Sequence, residues 1–284
     1  IYLGDYPASR KNYAQALNIA LQQKDTINII LGYSGVGLSY LQEKNYSKVD
    51  SVFNIVLPIA QESQNNNQIL RILEVLGINN FYQHKFVAAI KKYNEAIAIA
   101  VQDGDSSHFS RIYLNLGNVY VKANQLDLAA ETLIKGKNIA EQEKESYYKA
   151  HYYSCLGELY RLQKLDELST QYYVMAIDTF IVCQNPSGVA NASISLAIAL
   201  EESGEYQESK YYLQKAYQYA NKINSSEILA YCYILKGKLA LNDEQYSQAL
   251  LALDSAQVYA DQIEEISIEK DWYEVKYQVF ERQK

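Results

Sequence analysis

Similar residues return at every fortieth position along this chain, and no other feature constrains its fold more. From Gly117 that interval reaches Gly77 and Gly37 backwards, and Gly157, Ala197, Gly237 and Tyr277 forwards. The preceding column reads Val36, Leu76, Leu116, Leu156, Leu196, Lys236 and Lys276. An aromatic column starts at Tyr6, Tyr46 and Phe86, passes through Leu126 and Asp166, and returns to Tyr206 and Tyr246. Two further columns are mostly small: one reads Ala16, Val56, Ala96, Gly136, Ala176, Ala216 and Ala256, the other Ala20, Ala60, Ala100, Ala140, Phe180, Ala220 and Ala260. No insertion breaks the frame. Self-similarity at such a period marks a structural unit that cannot bury its apolar face alone and stacks on its neighbours.

Each repeat reads as two helices. In the third, residues 107–123 place Tyr113, Leu116, Gly117 and Tyr120 on one face at spacings of three and four. Residues 126–142 place Ala129, Leu133, Gly136 and Ala140 on one face of the second helix, after a polar break at Asn124–Gln125. Between repeats the breaks begin at Gln64, Gly104, Lys144, Gln184 and Asn224. Such short polar connections make successive helices antiparallel. The 12 Gly and 3 Pro are too few to supply the turns of a β-rich fold. Ala, Leu, Gln, Glu and Lys fill the segments between breaks, which favours helix. Gly117 is therefore a packing glycine inside a helix. Without a side chain there, a neighbouring helix approaches closely while the aromatic columns fill the space around the contact. The glycines of Gly32–Gly37 fall inside a first helix in the same way and do not form a dinucleotide fingerprint.

At these columns the chain resembles the tetratricopeptide repeat (TPR) family: an aromatic, then Leu-Gly, then Tyr in the first helix, and Ala, an aromatic and Ala in the second. Tyr113, Leu116, Gly117, Tyr120, Ala129, Leu133 and Gly136 carry the resemblance, and the other repeats follow in the same frame. Departures are Asn80 and Leu200 at the tyrosine position and Asp166 where an aromatic is usual. The resemblance implies an all-α protein, a right-handed α-α superhelix of six full helix pairs with a half repeat at each end. Because the period is longer than in the commonest members, each helix should gain roughly a turn. The chain is read as a single TPR domain over 1–284, and as a fragment of a longer protein.

A net charge of −7 offers no electrostatic footprint for nucleic acid. No apolar run reaches the ~18 residues of a membrane span. Cys155, Cys183 and Cys232 lie in helical segments and read as core thiols. His84, His108 and His151 are dispersed without metal-ligand spacing, and no HExxH, CxxC or Walker sequence occurs. Glu201–Glu202 and Glu264–Glu265 read as solvated helix faces. No cofactor, metal or catalytic residue is expected.

The resemblance implies binding through a concave groove lined by the first helices. Mapped by register, its N-terminal part is apolar, through Leu38, Leu41, Ile78, Phe81 and Val121. Its middle is polar, through Arg71, Arg111, Asn118, His151, Glu158 and Arg161. An apolar strip beside Arg, Asn and His suits a peptide or amphipathic helix bearing an acidic group. Replacing Arg111 and Asn118 by Ala should abolish ligand binding without lowering the melting temperature. The clamp of chaperone-tail-binding TPRs is not matched: Leu114, Asn118, Cys155, Asn191 and Ser195 stand at its positions. Two roles follow from the resemblance. One is the sensory input domain of a bacterial signalling regulator of the sensor histidine kinase type, which implies an extracytoplasmic place. The other is a free-standing cytoplasmic scaffold or adaptor for a linear peptide. Homodimerisation through the ends of the stack is compatible with both.

Overall fold

The structure, a computed structural model of the chain, describes residues 6–104, 108–263 and 266–283. The turn residues after Gly104, the Ser107 start of the third repeat, the pair Glu264–Glu265 and Lys284 lie outside them. Among the described residues there are fourteen helices and no strand. They are α1 (Tyr6–Gln23), α2 (Thr26–Gln42), α3 (Tyr46–Glu62), α4 (Asn66–Tyr82), α5 (Phe86–Asp103), α6 (Phe109–Lys122), α7 (Leu126–Gln142), α8 (Ser146–Leu162), α9 (Asp166–Val182), α10 (Pro186–Glu202), α11 (Tyr206–Ile223), α12 (Ser226–Asn242), α13 (Tyr246–Ala260) and α14 (Ile266–Arg282). Even-numbered helices are the first helices of the repeats (A-type) and odd-numbered ones the second (B-type). The chain forms two compact units, Ile1–Ile139 and Ala140–Lys284. Within each unit consecutive helices pack in pairs and A-type helices also adjoin one another, as in an α-α solenoid.

Helices α2, α3, α4, α7, α8, α9, α10 and α12 are each 17 residues long. The turns between helices share one construction. Among the described residues ten non-glycine residues and two glycines have positive φ, and they recur at half the repeat interval from Lys24 to Glu244. At every such turn whose next residue is described, the following amide donates back over the helix end. Examples are Asn45 N–H to the Tyr40 carbonyl at 2.9 Å, Leu165 to Tyr160 at 2.9 Å and Gln245 to Ala240 at 2.8 Å. That is the six-to-one bond of a Schellman motif. The residue that closes one helix also opens the next: side chains of Asp25, Asn45, Asn65, Asn185 and Ser225 accept from the amide three positions on. Closing and opening in so short a span turns the chain back on itself and sets successive helices antiparallel.

The small column works as its register implies. A Cβ on Gly77 would lie 2.6 Å from the Tyr93 ring, and one on Gly157 2.8 Å from the Tyr173 ring. Gly37 and Gly117 meet Phe53 and Leu133 in the same way. In every case the intruding side chain comes from the same position of the partner B helix. Tyr93, Tyr173, Phe53 and Leu133 are thereby fully buried. Where Ser replaces Ala in the B helix, its hydroxyl reaches the same contact: Ser169 donates to the Gly157 carbonyl at 3.0 Å, and Ser209 to the Ala197 carbonyl at 2.7 Å. The cysteines differ from expectation. All three are free, but only Cys232 is buried, whereas Cys155 and Cys183 are half-exposed and Cys183 caps α9 instead of lying within it. No described helix is long and apolar enough to cross a membrane.

Candidate ligand-binding site

In the first unit the relevant face is carried by α2, α4 and α6, whose matching registers bring Leu38, Ile78 and Asn118 to corresponding positions. Leu31 and Leu38 are 41% and 39% exposed, so α2 offers apolar surface to solvent. Leu41 and Ile78 are half-buried. Phe81 is half-buried as well, with its ring centroid 5.5 Å from that of Tyr82 and 6.1 Å from that of Phe86. Val121 is 2% exposed, so it belongs to the core and not to the apolar strip. Leu41, Phe81 and Arg161 at the same register position keep partial exposure, whereas Leu241 there is buried like Val121.

The polar centre of this face is a residue the register argument passed over. Glu74 on α4 is 5% exposed, and Arg111 on α6 holds its Oε2 at 2.6 Å. Arg111 Nη2 also donates to His108 Nδ1 at 2.9 Å. That leaves the imidazole neutral, so its 3.7 Å approach to Glu74 Oε1 is not an ion pair. Burial raises the Glu74 carboxyl above its ordinary range, and Arg111, then Arg71, pull it back. Arg71 stands one turn before Glu74 and is exposed. Arg111 is thus a structural partner of a buried carboxylate. Its replacement by Ala would lower stability as well as alter the surface, so the expectation of an unchanged melting temperature is revised. The available signal was Glu74 itself, a charge in a column that otherwise reads Ser34, Leu114, Ser154, Ile194 and Ile234 before a second charge at Glu274.

In the second unit the named residues do not present an open face. Arg161 on α8 bonds Glu158 through Nε at 2.9 Å and Nη2 at 3.0 Å. Its Nη1 bonds both carboxylate oxygens of Glu202 on α10, at 2.8 and 2.7 Å. Tyr173 donates to Glu158 Oε2 at 2.9 Å. The two carboxylates hold the Arg161 guanidinium in its charged form, through its hydrogen bonds to Glu158 first. Both Glu158 and Arg161 are therefore spent within the unit. Glu202, exposed at the end of α10, is the fourth member of this network. His151 stands apart, its ring centroid 4.6 Å from Tyr147 and 4.9 Å from Phe180. Among the described residues no group of three or more His, Cys, Asp or Glu gathers at metal-binding distance.

No family model and no curated protein sequence matches the chain. Solved structures do. The apo form of RapI superposes with TM-score 0.66 at 14% identity, covering 89% of this chain and 99% of that one. NprR in complex with its cognate peptide NprX gives 0.65 at 14%, covering 98% and 84%. A signal transduction ATPase with numerous domains (STAND) and a tetratricopeptide repeat sensor, from Pyrococcus horikoshii, gives 0.65 at 16%, covering 95% of this chain and 42% of that one. At these identities the likeness is one of fold: stacked helix pairs of the kind seen in tetratricopeptide repeat structures.

Proposed function

We propose that this chain is a peptide- or protein-binding module whose ligand lies on the A-helix face of the first unit, and that it serves as the sensory input part of a signalling regulator. The observation that carries the reading is the contrast between the two units. On α2 and α4, Leu31 and Arg71 are exposed at one register position; Leu38, two turns after Leu31, is exposed in register with half-buried Asn118 on α6. The equivalent polar residues of the second unit are consumed by one another. Exposed apolar surface beside a cation suits an extended or helical peptide with an acidic group. The likeness in fold to NprR with its peptide and to a repeat sensor supports a receptor role. None of the three structures reported is a histidine kinase, so the proposal stops at sensory input.

The test is selection of peptides from a displayed random library against the 284-residue chain, followed by calorimetric titration of the best binder. Leu38→Ser and Arg71→Ala should each weaken it by roughly tenfold, about 1.4 kcal/mol, with the melting temperature kept. Affinities within about twofold of the parent for both variants would place the ligand elsewhere.

A further inference from the structure

The outward stripe of α4 differs from that of every other A-type helix. Arg71, Val75, Ile78 and Tyr82 follow one another at spacings of four, three and four, so they line one face of the helix. Arg71 is exposed, Val75 and Ile78 are half-buried, and Tyr82 is 54% exposed. The stripe thus reads cation, apolar, apolar, aromatic. At the place of Tyr82 the other A-type helices carry Gln42, Lys122, Leu162, Glu202, Asn242 and Arg282. Two neighbours fix the Tyr82 ring without covering it. Phe81 meets it at 70° with centroids 5.5 Å apart, and Tyr46 of α3 lies nearly parallel to it, at 10° and 6.1 Å. Beside the stripe, α2 adds Leu31 and Leu38 in the registers of Arg71 and Ile78. Helix α4 packs on α3 and α5 and adjoins α2 and α6, so this stripe is what stays open when all its neighbours are in place.

We propose that this stripe takes an amphipathic helix with an acidic side chain at Arg71 and an aromatic one at Tyr82, an inference that rests on the ligand face proposed above. Arg71 and Tyr82 are eleven residues apart, about 16 Å along α4. A helix laid beside α4 covers that span in the same eleven residues. It keeps both ends of the pattern on one face, with apolar side chains at the fourth and seventh positions between them. An extended chain covers the span in about five residues, and residues five apart point to opposite sides. The acidic residue belongs in the first turn of the ligand helix, where the dipole favours negative charge, so the ligand runs in the direction of α4. An aromatic ring on Tyr82 gains edge-to-face contacts of the kind Phe81 already makes. A cation would also find a ring face there, but exposed Lys85, whose Nζ donates to the neutral Gln83 Oε1 at 2.7 Å, repels it. The nearby carboxylates are engaged: Glu74 is held by Arg111, and Asp50 accepts from Asn79 and Gln83.

The probe is a fluorescein-labelled synthetic helix of Ala and Gln carrying Glu in its first turn, Leu four and seven residues later and Trp eleven residues later. Fluorescence anisotropy against the 284-residue chain should show saturable binding. Tyr82→Ala, or moving the Trp to the opposite face of the probe, should each weaken it by about tenfold. Tyr82→Trp should retain affinity, which separates loss of the ring from loss of the fold. Arg71→Glu should weaken the probe to a similar degree, and a probe with Lys in place of Glu should recover on that variant. A probe that fails to bind, or that binds Tyr82→Ala as well as the parent, would overturn the proposal. So would equal binding of a probe with Pro at its centre, the mark of an extended ligand. A library-selected peptide weakened by Leu38→Ser and Arg71→Ala but not by Tyr82→Ala would overturn this inference and leave the ligand face standing. One indifferent to all three would remove both.

Discussion

At the residue scale, His151 and Glu74 show burial acting on ionisable groups with opposite consequences. The Nε2 atom of His151 is buried with no hydrogen-bond partner among the described residues. Burial holds its pKa below the ordinary 6.5. The unfolded chain thus takes up a proton that the folded ring resists. Stability is complete above 6.5 and is lost as pH falls through the lower folded value. We expect the melting temperature to drop between neutral and mildly acidic pH, and His151→Phe to flatten that drop; parallel pH profiles would refute it. Glu74 acts in the other direction, since its raised pKa means stability present below 4.5 is given up as pH rises through the folded value. The dispersal of His84, His108 and His151 is plain from their positions, and so is the absence of ligand spacing. That one of them sits between two aromatic rings is only half legible: Tyr147 stands four residues before His151 on α8, whereas Phe180 comes from α9 and meets it only after folding.

At the element scale, the turns are uniform in backbone and diverse in residue. Lys24, Lys44, Gln64, His84, Lys144, Lys164, Gln184 and Glu244 all adopt the left-handed conformation that favours glycine, which only Gly104 and Gly204 supply. Each non-glycine residue there carries strain that the Schellman bonds outweigh. Lys164→Gly should therefore raise stability by about 0.5–1 kcal/mol, read as a higher urea midpoint at unchanged slope; a loss would show that the lysine stem contributes packing that the backbone argument omits. The repeat frame, the helix pairs and the breaks were all legible, because packing constrains side-chain size in columns. The halved period of the turns was not, because backbone conformation there is set by hydrogen bonds over the helix end, and chemically unrelated residues satisfy it.

At the scale of the whole molecule, the stability of stacked repeats is a sum over neighbouring pairs. Gly157→Ala forces a Cβ to within 2.8 Å of the Tyr173 ring, whereas at Gly237 the nearest atom, Leu253 Cγ, is 3.3 Å away. The first substitution should cost about 1–3 kcal/mol and the second far less. Hydrogen exchange of the Gly157→Ala protein should rise in α8, α9 and α10 and leave α2 to α5 near parent values; uniform loss of protection would mean that the chain unfolds as one body. What the sequence determined by itself was the repeating unit: helix count, pairing and the close A-to-B contact follow from column size alone, because a packed interface admits only residues that fit. What the tertiary structure decided was which polar residues remain available. Arg111 stands in register with Arg71, and Arg161 is a further cation of an A-type helix at another register position. Whether a cation is open to a ligand depends on a carboxylate one repeat away in sequence, Glu74 or Glu202, and only the stacking of A-type helices brings that charge within hydrogen-bonding distance.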